Sequence, residues 1–272
     1  MAMFIGCAVV AYTQTQAPTK IVTQKLADNL YLIHNDFVPG NTTVLVTNEG
    51  VILVDDKFPQ DGDNILAEVK KITNQPLKYV INTHHHGDHS GSNPTMQKTG
   101  AIVVSSENAR KRMVEGKQDG LSNVTFQDQG HVYLGGEQVD LYYFGKAHTD
   151  GDIVAVFPKV RLMASGDIYA NDPGTPELID YAGGGSAIAW TETLNRALKL
   201  DFDRVVPGHG TVAPKTAMAG FRDTSIKLRN RVHEMVAAKK TRADVEKMLR
   251  AEFKYEDVHV DKSLDGLMKE LK

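Results

Sequence analysis

The chain has 272 residues, with 31 Lys and Arg against 34 Asp and Glu, a formal net charge of −3 and 41% hydrophobic residues. That balance suits a globular chain with one substantial core or two small ones, and it gives no electrostatic reason to expect nucleic acid or an anionic membrane as partner. The single cysteine, Cys7, excludes a disulfide framework and a thiolate-rich metal site within the chain, so any metal has to be held by His, Asp or Glu.

Residues 1–18 read apart from the rest. Met3 to Tyr12 is an apolar run, too short to span a bilayer core of about 30 Å, and it resembles the apolar part of a secretory signal whose basic start is missing. The expectation is a periplasmic or secreted protein without stable membrane insertion; the alternative is a flexible cytoplasmic N-terminus. Residues 19–272 read as one domain, since they hold no internal linker, low-complexity tract or short repeat.

That domain opens with a predicted antiparallel meander: Ile21 to Leu26, Leu30 to His34, Thr42 to Thr47 and Val51 to Asp55, separated by Asp28-Asn29, Pro39-Gly40-Asn41 and Asn48-Glu49-Gly50. An amphipathic helix follows over Asp63 to Thr73, with Ile65, Leu66, Val69 and Ile72 on one stripe. The strand Leu77 to Ile81, a helix over Asn93 to Lys98, a strand Ala101 to Val104 and a helix Ser106 to Glu115 repeat the alternation. Strands return at Val124 to Phe126, Glu137 to Phe144, Ile153 to Phe157 and Arg161 to Ala164. Next come a helix Ala187 to Leu200, a strand Arg204 to Val206 and a long helix within Thr216 to Lys239. The last forty residues read as two helices: Thr241 and Asp244 have capping-box spacing before Val245, Met248 and Leu249, and Ser263 precedes Leu264, Leu267, Met268 and Leu271.

Chemistry concentrates at Thr83-His84-His85-His86-Gly87-Asp88-His89, directly after a strand. So many imidazoles and a carboxylate cannot be buried together without hydrogen bonds, charge pairing or a metal. A loop at a strand end can face His84 and His86 toward one ion and Asp88 and His89 toward another. His148, Asp167 and His209 each follow a strand and sit in a glycine-bearing turn, in Gly145-Lys-Ala-His-Thr-Asp-Gly-Asp152, Ser165-Gly-Asp167 and Pro207-Gly-His-Gly210.

With these motifs in hand, the sequence resembles the metallo-β-lactamase superfamily from about Lys20 to the helix after His209. The resemblance is carried by the strand end Leu53-Val54-Asp55, by the H-x-H-x-D-H run of His84, His86, Asp88 and His89, and by His148, Asp167 and His209 in that order. It implies an α/β fold, an αβ/βα four-layer sandwich with a metal site at one edge between two sheets. It also implies two zinc ions per chain, one on His84, His86 and His148, the other on Asp88, His89 and His209, with Asp167 bridging them. A metal-bridging hydroxide would then attack the carbonyl of an amide or lactam, an ester or lactone, or a thioester, with Asp88 and Asp167 in catalytic positions and no serine or cysteine nucleophile. The implied partner is a small molecule with a hydrolysable carbonyl. In several zinc β-lactamases the position of Asp167 is cysteine or serine, whereas a bridging aspartate is similar to thioesterases of the glyoxalase II type, lactonases and broad-acting hydrolases. β-Lactams stay within the implied substrate class.

Neighbouring residues read differently. Asp55 is expected to orient a metal-binding imidazole from outside the ligand set. His85 is expected to face solvent or a ligand's partner, Asp150 and Asp152 to cap turns, Trp190 to lie in the core, and His34, His131, His233 and His259 to be surface or satisfied structural histidines. Two loops are candidate walls for substrate: His34 to Asn41 with Phe37, and Ile168 to Ser186 with Tyr169, Asp180, Tyr181 and a triple glycine as a hinge. Two other readings compete with the hydrolase: a mononuclear iron oxidoreductase resembling persulfide dioxygenases, and a metal-stabilised binding protein without turnover.

Overall fold

A computed structural model describes residues 17–36, 38–171 and 178–272. The apolar leader up to Gln16, and Phe37, lie outside the described residues.

Two sheets are laid down in sequence order, each strand bonded to the next. The first holds β1 (Val22–Lys25), β2 (Leu30–His34), β3 (Thr42–Val46), β4 (Val51–Val54), β5 (Leu77–Ile81), β6 (Ile102–Ser106) and β7 (Val124–Phe126). It is antiparallel as far as β4 and parallel from there on. Parallel pairing needs long crossovers, and these carry α1 (Gly62–Ile72), α2 (Gly87–Ser90), α3 (Asn93–Lys98) and α4 (Glu107–Glu115). The second sheet holds β8 (Gln129–Leu134), β9 (Glu137–Tyr142), β10 (Val154–Phe157), β11 (Leu162–Ala164), β12 (Arg204–Val206) and β13 (Ala213–Pro214). Its β11–β12 pair is parallel and is bridged by α5 (Ala187–Ala197). Three helices complete the chain: α6 (Lys215–Ala237), α7 (Arg242–Phe253) and α8 (Asp257–Glu270).

The layering follows from strands that are apolar on both faces. On β4, Ile52 and Val54 pack between the sheets with Ile81, Leu141, Ala155, Leu162 and Val206. Val51 and Leu53 point the other way, onto Ile65 and Val69 of α1 and Met96 of α3. On the far side, Val154, Val156, Met163 and Val205 pack against Trp190, Leu194, Met218, Val232 and Leu264 of the other helices. Each fully buried aliphatic side chain contributes roughly 1.5–3 kcal/mol. The result is the expected four-layer α/β sandwich.

Several elements depart from the sequence expectation, among them the short helix α2 and strand β13, which the sequence does not announce. Strand β8 is unexpected; it pairs with β9 through a two-residue hairpin at Gly135 and Gly136, both at positive φ (54° and 79°), the geometry that matches strand twist. Helix α8 begins at Asp257, so Ser263 lies in its interior instead of at its start. The Thr241–Asp244 capping box of α7 is present. No helix among the described residues is long and apolar enough to cross a membrane.

Candidate metal centre

Every residue of the candidate site lies just past the carboxyl end of a strand, on one edge of the sandwich. Asp55 follows β4, His84 to His89 follow β5, His148 lies between β9 and β10, Asp167 follows β11 and His209 follows β12. The sheets therefore face each other across the site, and each supplies about half of it.

Among the described residues three groups have ligand atoms within 4.8 Å of one another: a smaller one of His85, His86 and Asp180 to one side, and two at the centre, His84, His86, His148 and Asp167, and Asp88, His89 and His209. Asp167 touches both central groups, with Oδ2 3.5 Å from His148 Nε2 and 3.4 Å from His209 Nε2, and Oδ1 3.2 Å from His89 Nε2. Asp88 Oδ2 lies 3.4 Å from His209 Nε2. Gly208 permits this approach, since a β-carbon there would stand 1.9 Å from Asp167 Oδ1. All the sequence-derived ligand candidates are thus brought together.

Hydrogen bonds fix which nitrogen His84, His86, His89 and His148 turn inward. His89 Nδ1 donates to Asp55 Oδ2 (2.8 Å), His86 Nε2 donates to Asp180 Oδ2 (2.8 Å), and His148 Nδ1 donates to the Leu178 carbonyl. Thr83 gives its hydroxyl proton to Asp55 and accepts from His84 Nδ1 at 3.2 Å. His84, His86 and His148 therefore each present a bare nitrogen to the site. His86 Nδ1 and His148 Nε2 face each other at 2.8 Å, and His84 Nε2 is buried with no hydrogen-bond partner. Converging lone pairs of this kind are satisfied by a shared cation, and this nitrogen and oxygen donor set fits a divalent transition metal.

The electrostatics agree for the imidazoles of the first group, while neighbouring carboxylates raise His89 and His209 above the ordinary range against the effect of burial. Burial, helped by neighbouring imidazoles, lowers His84 well below the usual imidazole range and His148 to about 4, leaving both neutral and ready to ligate. Burial opposes ionisation of Asp167 and Asp88, but the positive charge of His89 and His209 outweighs it and holds both carboxyls below the ordinary range.

Asp55 accepts from His89 at the base of the site. Besides His89 it accepts from the Thr83 N–H and hydroxyl, both at 2.7 Å, tying the end of β4 to the His84 loop. Asp55 and Lys57 both adopt left-handed backbone (φ 62° and 63°), uncommon for residues with side chains and typical of constrained sites. Asp152 accepts from the Thr149 N–H and hydroxyl, and Asp150 pairs with Arg112, so both stabilise the turn around His148. His85 is half-buried beside His86 and Asp180, its ring centre 4.6 Å from that of His86, and belongs to neither central group. Trp190 is core, and its indole donates to the Ile168 carbonyl.

Of the candidate substrate walls, Phe37 lies outside the described residues and the two tyrosines are engaged by the fold. Tyr169 is 2% exposed, packs on Phe221 and donates to Asn171. Tyr181 donates to Glu270 of α8 at 2.6 Å. The triple glycine is no free hinge where it is described: Gly183 accepts from the Asp150 N–H, and Gly185 lies against the His148 carbonyl. Sequence reasoning missed three contributors: Asp180 as the partner of His86, the Leu178 carbonyl as the partner of His148, and Lys57. Lys57 is fully buried, with Nζ donating to the Gly40 carbonyl at 2.5 Å and to Asn35 at 2.9 Å. Its one sequence signal is a lysine set among aspartates directly after an apolar strand.

Known proteins share this family and fold. The profile of the metallo-beta-lactamase superfamily matches residues 35–209, more than half of the chain. A metallo-beta-lactamase type 2 of Elizabethkingia meningoseptica is 26% identical over 212 residues, covering 75% of this chain and 84% of that protein. One of Bacillus cereus is 28% identical over 185 residues, covering 65% and 70%. Among solved structures, a metallo-beta-lactamase from Pontibacter korlensis superposes with a TM-score of 0.69 at 22% identity, covering 76% of this chain and 99% of that one. The DIM-1 metallo-beta-lactamase superposes at 0.67 with 18% identity, covering 78% and 99%. The chain belongs to the metallo-β-lactamase superfamily, as a metal-dependent hydrolase whose His/Asp cluster forms two adjoining ligand groups.

Proposed function

We propose that the chain is a di-zinc hydrolase of small molecules in which a carbonyl is attacked by water: lactams and other amides, lactones and other esters, or thioesters. The observation that carries this reading is Asp167, whose two oxygens reach ligand nitrogens of both groups. In it, His84, His86 and His148 hold one zinc, Asp88, His89 and His209 hold the other, and Asp167 serves both. Bound metal supplies a water acidified toward neutral pH and polarisation of the carbonyl oxygen. The chain's own residues do the rest. Asp55, Asp180 and Leu178 fix the tautomers of His89, His86 and His148, so that the inward nitrogens need no rearrangement. Asp88 and Asp167, held ionised, accept hydrogen bonds from water and orient it toward a substrate carbonyl.

β-Lactams are the first substrates to test, because the relatives at 26% and 28% identity bear the name metallo-beta-lactamase. Purified protein, stripped with a chelator and reloaded with zinc, is assayed on a cephalosporin, a lactone and a thioester. Two zinc ions per chain, with hydrolysis lost and regained in step, support the reading. One tightly held iron with oxygen-dependent turnover overturns it in favour of an iron oxidoreductase, and metal binding without turnover of any of the three favours a binding protein. Export to the periplasm or beyond is proposed from the apolar run Met3 to Tyr12. N-terminal sequencing of protein from an exporting host tests it.

A further inference from the structure

The hydrogen-bond acceptors that orient His148 and His86 sit within one short segment: the Leu178 carbonyl and the Asp180 carboxylate. Asp180 also ties the segment to the His148 backbone, its N–H donating to the His148 carbonyl at 2.9 Å. What fixes this segment comes from the far end of the chain. The Ser263 hydroxyl of α8, fully buried, accepts from the Ile179 N–H at 3.0 Å and donates to the Ile179 carbonyl at 3.1 Å. Both backbone polar groups of the residue between Leu178 and Asp180 are thus held by one side chain. Two turns along α8, Glu270 accepts from the Tyr181 hydroxyl at 2.6 Å, from the Ala187 N–H at 2.9 Å and from the Ser186 hydroxyl.

Between these two anchors stands Gly266, a residue that weakens a helix interior relative to alanine. Its place is explained by the Tyr181 ring, since a β-carbon at 266 would lie 2.1 Å from Tyr181 Cδ2. Ser263, Gly266 and Glu270 follow at three- and four-residue spacing, one stripe along the helix. That stripe lies beyond residues 35–209, where the superfamily profile matches.

We infer that Ser263, Gly266 and Glu270 are positioning residues for the first ligand group. Through residues 178–181 they set where the inward nitrogens of His86 and His148 stand, which makes α8 part of the metal centre's construction. The inference rests on reading His84, His86 and His148 as metal ligands.

The test is a metal titration of the chelator-stripped full chain by calorimetry, with cobalt(II) absorption as a second readout. It compares wild type, Ser263→Ala, the pair Ser263→Ala/Glu270→Ala, Glu270→Gln, and Leu264→Ala as a control on the buried side of the same helix. The expected result is a weakening of the first group of about 10–100-fold in the double variant, the range typical for loss of outer partners of a ligand. The Asp88, His89 and His209 group should keep its affinity. Glu270→Gln, which retains an oxygen to accept from Tyr181 and Ala187, should stay near wild type. Leu264→Ala should lower the melting temperature and leave the affinity of the first group unchanged. Ser263→Ala alone removes a single oxygen and serves if the double variant does not fold. Equal weakening of both groups, an unchanged first group in the Ser263 variants, or a Leu264→Ala variant that weakens the first group as much, overturns the inference. Wild type that binds no metal at the first group overturns the ligand reading itself, and so separates the two failures.

Discussion

Asp55 reaches His89 across 34 positions of sequence, with Oδ2 2.8 Å from Nδ1, while its carboxylate also accepts from the Thr83 N–H and hydroxyl. One carboxylate at the end of β4 thus sets both the path of the His84 loop and the tautomer of its last histidine. Asp55→Asn loses an acceptor while keeping the volume. The second group should lose about 10–100-fold in metal affinity, with a smaller change at the first. Calorimetric titration with zinc resolves the two steps, and equal affinities in variant and wild type would falsify the assignment.

His84→Ala, His148→Ala and Asp167→Ala should each lower hydrolysis by more than about a hundredfold, beyond what loss of an outer partner costs. His85→Ala, whose ring stands outside both groups, should change the rate only severalfold. Steady-state rates at saturating zinc decide this, and four equal losses would show the loop to be misassigned.

Lys57 predicts a pH dependence of stability. Burial lowers its ammonium to about 7 in the folded chain, against 10.5 as the ordinary value. Between those values the unfolded chain keeps a proton that the folded chain has released, so stability rises with pH across that window, and the burial penalty is present in full below it. The neutral amine still has donors for Gly40 and Asn35. Relative to Lys57→Met, zinc-loaded wild type should gain roughly 1 kcal/mol per pH unit from pH 7.5 to 9.5. Urea midpoints of both proteins measure the difference, and a constant gap across that range rejects the buried charge.

Gly208→Ala places a methyl group where Asp167 Oδ1 now stands. The carboxylate must move, and a displacement of about 1 Å at a reacting centre costs on the order of a hundredfold in rate. Zinc content and kcat measured together should both fall. A fully active variant would mean that Asp167 has slack the geometry does not show.

Much of this was readable before the fold was known, and the reason is physical. His84 to His89 are contiguous, and His148, Asp167 and His209 each sit in a short glycine turn after an apolar strand, so composition and periodicity mark them together. Asp55 was visible for the same reason. Asp180, Leu178, Ser263 and Glu270 carry no such mark, because their roles come from contacts spanning up to 94 positions of sequence and, for Leu178, from a backbone carbonyl that any residue possesses. For Tyr169 and Tyr181, aromatic residues on a loop suggested a substrate-facing role, while the partners their hydroxyls take, Asn171 and Glu270, come from tertiary packing that sequence does not display. Strand β8 went unseen because most of its residues are exposed or half-exposed, leaving the glycine pair as its clearest signal.

Each sheet is drawn from one continuous stretch of chain, the first ending at Phe126 and the second starting at Gln129. A cut between them divides the donors as well: His84, His86, Asp88 and His89 stay with one fragment, and His148, Asp167 and His209 with the other. Neither piece keeps a full ligand group, since the first group lacks His148 and the second lacks His209. Co-expressed halves would therefore have to dock before they could take up zinc tightly, which turns zinc uptake into a reporter of fragment complementation.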